Sequence, residues 1–213
     1  MLTTPRLIVI ALCAALNFSI GTIVYLIKLP IYLDSIGTIL CALLLAADRK
    51  VAFVCAWLAA TLSLIVSALF INPFIPWFAG TDVAIALVSA FVTSRGVATF
   101  RARPMPTAAF AARVLMYGII TGIAAAIVSA PVVAYLFGGV TGSGSALVVA
   151  VFLQAGQQLL AASLSSGLMI EPIDKSLQVL LAALLYRATP GEFLAMLQAP
   201  GPDQAKRNPS YGG

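Results

Sequence analysis

Asp34 is the acidic residue whose surroundings in the sequence first suggest a ligand site. It follows the segment LPIYL (residues 29–33) and lies between two stretches of nearly unbroken apolar sequence. A carboxylate in such a setting costs free energy unless it has a partner or a function. Pro30 interrupts helical structure here, and irregular backbone at membrane depth is tolerated only inside protein or against water. We therefore expect the turn from Pro30 to Asp34 to line a cavity.

Other polar residues could complete a binding site with this turn. Gln154, Gln157 and Gln158 have i, i+3 and i+4 spacing, so on one helix they would present amide donors and acceptors together. Tyr32 and Trp77 would supply flat apolar walls, and such walls with a few aimed polar groups are typical of a site for a small heteroaromatic or polar ligand. The candidate substrate-binding residues are Pro30, Tyr32, Asp34, Asn72, Trp77, Asp82, Gln154, Gln157, Gln158, Asp174 and Lys175.

Several of these residues also have an ordinary structural interpretation, which the sequence leaves open. Asp34 could cap the following helix, a role that would not exclude contact with a ligand. Asp174 and Lys175 could begin the last helix near the membrane interface, where the helix dipole favours an acid. The three glutamines could form hydrogen bonds between helices. Trp77 could be an interfacial anchor.

The chain lacks the residues that hydrolytic or metal chemistry usually requires. It contains no histidine, the commonest general base and metal ligand. Cys13, Cys41 and Cys55 lie in apolar segments without CxxC spacing, so we interpret them as packing residues. The glycine-rich segment 138–145 has no following Gly-Lys-Ser/Thr and is not a P-loop. We therefore expect a flexible external loop there, and no enzyme activity, metal or cofactor.

The elements that must position these residues are membrane helices. Hydrophobic residues make up 62% of the chain and charged residues 9%, whereas soluble domains carry about 25% charged residues. The mean hydropathy is +1.06. The charges cluster between apolar runs of about 20 residues, the length that spans a bilayer. We expect helices over 7–27, 35–47, 51–70, 81–100 and 107–137, and a last one that ends near Tyr186.

Residues 146–170 are the ambiguous part of this topology, because they are long enough to span but contain several glutamines and serines. If they cross the bilayer, Arg187 lies outside, against the positive-inside rule. If they form a re-entrant or surface hairpin, Arg187 returns to the cytoplasm. We prefer the second route. It predicts an all-α membrane protein, a six-transmembrane-helix bundle with a polar re-entrant or interfacial segment before the last helix.

The distribution of charge predicts the orientation and the domain organisation. The net charge of +5 comes from basic residues at the ends of apolar segments. They form no basic face with aromatic residues for stacking, so we expect no nucleic-acid partner. The positive-inside rule places both termini in the cytoplasm. We expect one membrane domain over residues 1–200 and a disordered cytoplasmic tail over 201–213, which is rich in Pro, Gly and polar residues.

Four motifs together resemble the substrate-binding S components of energy-coupling factor (ECF) transporters, which are small six-helix membrane proteins. The first is the small-xxx-small pair Ala11 and Ala15 on the first predicted helix. The others are LPIYLDSIGT (29–38), the glycine-rich loop 138–144, and EPIDK (171–175) at the start of the last predicted helix before RATP (187–190). The similarity covers residues 7–195, nearly the whole chain.

The resemblance implies capture of a vitamin or related micronutrient, including nucleoside-like compounds, from outside the bacterial cytoplasmic (inner) membrane. It further implies delivery through a transmembrane coupling protein and two ATPase subunits, with toppling of the S component to release its cargo. By the same resemblance, Ala11 and Ala15 contact the coupling protein, while the turn 30–34, Asn72, Asp174 and Lys175 are ligand candidates.

Three other classes of protein stay open from the sequence alone. One is a membrane ligand-sensing module that acts through a partner, and another is a self-sufficient ion-coupled carrier, although no inverted repeat is evident. The third is a small intramembrane enzyme, against which the missing histidines and the lack of clustered acids on one helix argue.

Overall fold

The computed structural model describes residues 2–101 and 107–198, and within these ranges the chain contains helices and connecting turns but no strand. The predicted tail over 201–213 and the loop that follows Arg101 lie outside the described residues. The α-helices are α1 (Thr4–Leu26), α2 (Ile36–Leu44), α3 (Arg49–Phe70), α4 (Ala79–Arg101), α5 (Thr107–Pro131), α6 (Ser145–Gln154), α7 (Leu159–Ala188) and α8 (Gly191–Gln198). A 3₁₀ turn (Ile75–Phe78) precedes α4, and a π-helical turn (Val132–Leu136) extends α5.

Within the described residues, four helical segments are long and apolar enough to cross a membrane. They are Thr4–Leu26, Arg49–Phe70, Ile75–Gly96 and Thr107–Leu136. A helix whose apolar residues face outward as well as inward is typical of a membrane span, and these segments expose many large apolar side chains. The helices therefore confirm the coarse prediction of an all-helical, multi-pass membrane protein.

Two further helices, α2 and α7, differ from these four in length or in polarity. With nine residues, α2 is only about 14 Å long at 1.5 Å per residue. With 30 residues, α7 is about 45 Å long, but it carries Glu171, Asp174 and Lys175 in its middle. Neither reaches the length and composition of a simple apolar span.

Arginine side chains tie together several helix ends at one end of the bundle. The Arg6 Nε atom at the start of α1 donates to the Leu197 carbonyl in α8 at 3.0 Å. The Arg187 Nη1 atom near the end of α7 donates to the Phe100 carbonyl near the end of α4 at 2.8 Å. We call this the basic end, defined by Arg6, Arg101 and Arg187. Since Arg187 lies here, α7 runs toward the basic end.

The segment before α7 stays at the opposite end of the bundle. Gly144, which precedes α6, lies against the backbone of Lys28 and Leu29, directly after α1. Gly139 lies against the side chain of Leu159, the first residue of α7. Because α6 and α7 both begin at this end, α6 does not carry the chain across the bundle. Residues 159–170 belong to α7 itself, so the expected boundary between this segment and the last helix was wrong. The count of six spans stays a prediction.

The EPIDK segment lies in the middle of α7 rather than at the start of the last helix, so that prediction was wrong. Pro172 sits within the helix, and the Ser176 hydroxyl donates to the Pro172 carbonyl at 2.6 Å. Proline inside a membrane helix is tolerated where neighbouring helices and hydroxyl side chains satisfy the freed backbone groups. The charged residues therefore enter the bundle interior instead of the interface.

Small residues occur at every fourth position of α5, at Gly118, Gly122, Ala126 and Ala130, and they permit close packing against α7. Gly118 lies against Ser176, and Gly122 lies against the backbone of Glu171 and Pro172. In both places a Cβ atom would overlap the neighbouring helix. Residues later in α5 contact residues earlier in α7, so the two helices are antiparallel. This contact holds Glu171 at a fixed depth in the bundle.

The short helix α2 forms the centre of the structure, packed against α1, α3, α4 and α7. Gly37 lies directly against the backbone of Cys13 in α1, where no other residue has room for its side chain. Cys13, Cys41 and Cys55 are free and buried. The interpretation of the cysteines as packing residues is therefore confirmed.

Candidate functional site

A cavity of about 180 Å³ lies between α1, α3, α4, α5 and α7, toward the end of the bundle opposite the basic end. A volume near 150 Å³ accommodates one benzene-sized ring. Apolar side chains on its wall include Ile71, Ile75, Phe78, Ile85, Val133 and Phe137. Polar side chains on its wall include Asn17, Ser63, Thr81, Asp82, Ser129 and Glu171. This combination matches the usual composition of a small-molecule site.

One cation, Lys175, lies among three carboxylates at the wall of the cavity. Its Nζ atom is 2.8 Å from Asp174 Oδ2, 3.3 Å from Glu171 Oε2 and 3.5 Å from Asp34 Oδ1. Helical spacing brings Glu171 and Lys175 to one face of α7. The Tyr32 ring lies 5.7 Å from the same ammonium. Lys175 therefore links α7 to the loop between α1 and α2.

Asp174 holds the backbone of that loop from behind the cavity wall. Its Oδ1 atom accepts hydrogen bonds from the amides of Tyr32 and Leu33, both at 3.0 Å. Gln178, one turn later, accepts from the Ser35 amide at 2.9 Å and donates to Asp174 Oδ2 at 2.7 Å. Successive amides that converge on a carboxylate form an anion-binding nest. Asp174 is therefore a positioning residue, with both oxygens occupied by protein donors.

The loop between α1 and α2 has a strained conformation that these contacts maintain. Leu33 has a φ of 49°, in the left-handed region that residues other than glycine rarely occupy. Such strain persists where the surrounding structure fixes it, and it concentrates at functional sites. Desolvation, together with the nearby Glu171 carboxylate, raises the pKa of the neighbouring, partly buried Tyr32 phenol well above its ordinary value. Its hydroxyl is therefore neutral and available as a donor.

Asp34 points toward solvent and the cavity rather than capping α2. The N-cap residue of α2 is Ser35, whose side chain forms no capping hydrogen bond. Asp34 Oδ1 instead accepts from the Ser35 hydroxyl at 2.9 Å, and 54% of the Asp34 side chain is exposed. The interpretation of Asp34 as a helix cap was therefore wrong. Its carboxylate is free to meet a ligand from the open side.

Asn17 lies on the deep part of the cavity wall, although it is not among the predicted site residues. Its side chain donates to the Thr38 hydroxyl at 2.8 Å and accepts from the Gly37 amide at 2.6 Å, joining α1 to α2. The signal that could have identified it is a solitary amide within an apolar helix, since polar residues inside membrane spans face the bundle interior. Glu171 was noted in its motif but was not chosen as a site residue.

Two buried polar groups on the cavity wall have unused hydrogen-bonding capacity. The Thr81 hydroxyl, in a residue that is 8% exposed, has no hydrogen-bond partner among the described residues. Glu171 Oε2, in a residue that is 5% exposed, also has no hydrogen-bond partner among the described residues, although the Lys175 Nζ atom lies 3.3 Å away. Buried polar groups are normally satisfied, so such groups in a cavity indicate a place for ligand or water.

The loop over 138–144 closes one side of the cavity. Thr141 and Ser143 line it, and their hydroxyls are 2.9 Å apart. The Lys28 ammonium donates to the Gly142 carbonyl and lies 4.3 Å from the centre of the Tyr25 ring. These contacts connect the glycine-rich loop to the end of α1.

The structure brings five of the eleven predicted site residues together on the cavity wall, and these are Tyr32, Asp34, Asn72, Asp82 and Lys175. Asp174 lies behind the wall. Pro30 lies on the exposed turn, and Trp77 is 59% exposed on the 3₁₀ turn, so neither lines the cavity. Whether the five residues bind a substrate stays a prediction.

The three glutamines do not share a helix face, and they lie away from the cavity wall. Gln154 ends α6, and Gln158 immediately precedes α7. Gly156, with a φ of 85°, occurs between them and ends the helix. Gln157 accepts a hydrogen bond from the Ser165 hydroxyl at 3.0 Å. The expected i, i+3 and i+4 arrangement was therefore wrong, because the helix is broken within it.

Ala11 and Ala15 lie together on an exposed face of α1. Leu7, Ile8 and Leu12 on the same helix are exposed as well. This face is distinct from the residues of α1 that line the cavity. It is available to a neighbouring helix.

Comparison of the chain with protein families, with curated proteins and with solved structures finds no match. Within residues 2–101 and 107–198, no group of three or more acidic or cysteine residues is arranged to hold a metal ion. We therefore infer function from the arrangement of the cavity.

Proposed function

We propose that the protein is the substrate-binding S component of an ECF-type importer, and that it captures a small polar or heteroaromatic micronutrient. The observation that carries this proposal is the cavity, which has both apolar and charged walls and lies toward one end of a membrane helical bundle. Five residues chosen from sequence motifs lie on its wall. The mixture of flat apolar surface and aimed polar groups suits reversible capture of a small solute.

The orientation of the bundle supports capture from outside. Arg6, Arg101 and Arg187 lie at the basic end, and the positive-inside rule assigns such an end to the cytoplasm. The cavity then faces the exterior of a bacterial cytoplasmic membrane, with both described chain ends on the cytoplasmic side.

The six-helix architecture requires α2 and α7 to complete the bundle with the four apolar spans. α7 is long enough to cross, and its charged residues lie inside the protein, where ionisable groups of membrane helices are normally paired. α2 is buried at the centre of the bundle and reaches the membrane interior from the loop over 27–35. In this proposal α7 connects the two sides of the membrane, whereas the nine-residue α2 crosses only together with the loop that precedes it.

The exposed pair Ala11 and Ala15 supports docking of a coupling protein. Small residues four positions apart let a second helix approach closely, since no side chain separates the backbones. In this proposal a transmembrane coupling protein contacts this face and two ATPase subunits supply the energy. Ligand binding and docking of the coupling protein then use different surfaces of the chain.

Ligand binding by the isolated protein tests the first half of this proposal. The purified chain, incubated with a panel of vitamins, vitamin precursors and nucleosides, is expected to retain a ligand with micromolar or tighter affinity in native mass spectrometry and calorimetry. Uptake by cells that co-express the coupling protein and ATPases tests the second half. A well-folded protein that retains no compound, together with no ATPase-dependent uptake, would contradict the proposal.

A further inference from the structure

We propose that the ligand of this cavity is a small organic cation: a ring-sized body that carries an ammonium group or another protonated amine. This inference rests on the proposed function, and it names the charge class of the substrate. The proposal is based on the charged residues that line the cavity and on their hydrogen bonds.

Charge is the first observation. Among the described residues, Asp34, Asp82, Glu171 and Lys175 are the charged groups that line the cavity. Lys175 is already matched by Asp174, its nearest carboxylate at 2.8 Å, which lies behind the wall. The three lining carboxylates therefore outnumber the positive charge available to them.

Unused hydrogen-bonding capacity is a second and independent observation. Among the described residues, the Thr81 hydroxyl on the cavity wall is buried without a hydrogen-bond partner. Glu171 Oε2 forms no hydrogen bond within them either, and it has only the Lys175 ammonium at 3.3 Å, which it shares with Asp174 and Asp34. Asp82, next to Thr81 in the first turn of α4, forms no hydrogen bond or ion pair with another described residue. A carboxylate taken out of water requires a donor or a cation to offset its desolvation. An ammonium group supplies both.

The remaining walls suit the body of such a ligand. Tyr25, Tyr32, Phe78 and Phe137 place aromatic rings on the cavity surface. The rings of Tyr25 and Tyr32 already face the ammonium groups of Lys28 and Lys175, so the aromatic side chains support stacking on the flat ring of the ligand. The volume of about 180 Å³ limits the body to about one ring, because a cavity near 150 Å³ holds benzene. A complete nucleoside, with base and sugar, exceeds this size.

Two matched series of probes test the charge class. The first contains benzylamine, benzyl alcohol and benzoate, and the second contains 3-(aminomethyl)pyridine, 3-pyridinemethanol and nicotinate. Within each series the ring is constant and the charge changes. Calorimetry on the full chain in nanodiscs is expected to show at least tenfold tighter binding of the amine than of the alcohol, and no binding of the carboxylate.

Isosteric variants identify where the cation binds. Asp82→Asn and Glu171→Gln remove a charge with little change in shape, and each is expected to weaken amine binding at least tenfold while alcohol binding is unchanged. Glu192→Gln is the matched control, because Glu192 is exposed on α8 and distant from the cavity. This variant is expected to bind the amine like the unmodified chain. Thermal unfolding of each variant separates lost binding from lost folding.

Several outcomes would overturn this inference. Equal or tighter binding of the alcohol or the carboxylate would do so, as would amine binding that survives both charge-removing substitutions. Amine binding that sodium or potassium chloride abolishes at concentrations that leave alcohol binding unchanged would assign the site to an inorganic cation instead. Absence of binding by every probe would exclude a ring-sized organic cation, while the vitamin panel and the uptake assay would decide the proposed function separately.

Discussion

At the scale of single residues, Asp174 organises the loop beside the cavity. It is fully buried, and it accepts hydrogen bonds from two successive loop amides, from Lys175 and from Gln178. A buried ion pair gains little over an apolar replacement, but removal of one partner leaves an uncompensated charge. The contribution of Asp174 therefore lies in fixing the positions of Tyr32 and Asp34.

Asp174→Asn tests this positioning role. An amide group of the same shape can still accept from the loop, but its NH₂ group would face the donors of Lys175 and Gln178. We expect a loss of about 3 kcal/mol in the free energy of unfolding, measured by chemical denaturation in detergent. Glu192→Gln, which removes an exposed carboxylate, is the control and is expected to leave stability unchanged. If Asp174→Asn were as stable as the control, the hydrogen bonds that Asp174 accepts from the loop would not contribute to the stability of the fold.

Asp34 differs from Asp174 because it is exposed and faces the open cavity. Asp34→Ala is therefore expected to weaken ligand binding by at least tenfold while the protein remains folded. Calorimetry with a ligand identified from the panel provides the measurement. The comparison is with Ala11 substitutions, which lie on another surface and are expected to change binding less. The reverse order of effects would contradict the assignment of these two surfaces.

At the scale of elements, the antiparallel pair of α5 and α7 fixes the geometry of the cavity. The glycines of α5 let the backbone of α7 approach, and this brings Glu171 and Lys175 into the interior. Pro172 lies within this contact, so an interruption of the helix coincides with the site. Packing between the two helices therefore determines where the charges lie.

Gly122→Ala tests the close contact between α5 and α7. The new Cβ atom would overlap backbone atoms of Glu171 and Pro172, which cannot move without separating the helices. We expect a net loss of about 2 kcal/mol, because overpacking costs about 3 kcal/mol and the gain in helix propensity is at most about 1 kcal/mol. Thermal unfolding in detergent provides the measurement.

Gly191→Ala is the control for this experiment, since a Cβ atom at Gly191 meets no atom within 4 Å. We expect this variant to be as stable as the unmodified chain or slightly more stable. If Gly122→Ala and Gly191→Ala had the same stability, the close approach of the two helices would not contribute to the fold.

At the scale of the whole molecule, the binding cavity and the small-residue face of α1 occupy separate surfaces. Ala11→Trp or Ala15→Trp places a bulky side chain on the exposed face without contact to the cavity. In cells that co-express the proposed coupling protein and ATPases, we expect these variants to bind ligand normally but to lose uptake. Membrane abundance is checked by immunoblot. Normal uptake by both variants would exclude this face as the docking surface.

The sequence by itself determined the helical membrane character of the chain and much of the turn over 29–34. Four apolar runs became long apolar helices, because about 20 apolar residues can satisfy their backbone in a membrane only as a helix or a closed barrel. The segment 29–34 places Tyr32 and Asp34 at the cavity, as its proline and acid indicated.

Only the tertiary structure decided which polar residues share the cavity. Local spacing suggested that the glutamines form one face, but Gly156 ends the helix between them. It also suggested that Asp174 and Lys175 begin a helix, whereas contacts with α5 and with the loop after α1 stabilise them within α7. Asn17 reaches the cavity through its contact with α2, 21 positions away in sequence. The physical reason is that burial of a charge depends on partners brought together from distant segments, and a single sequence does not specify those distances.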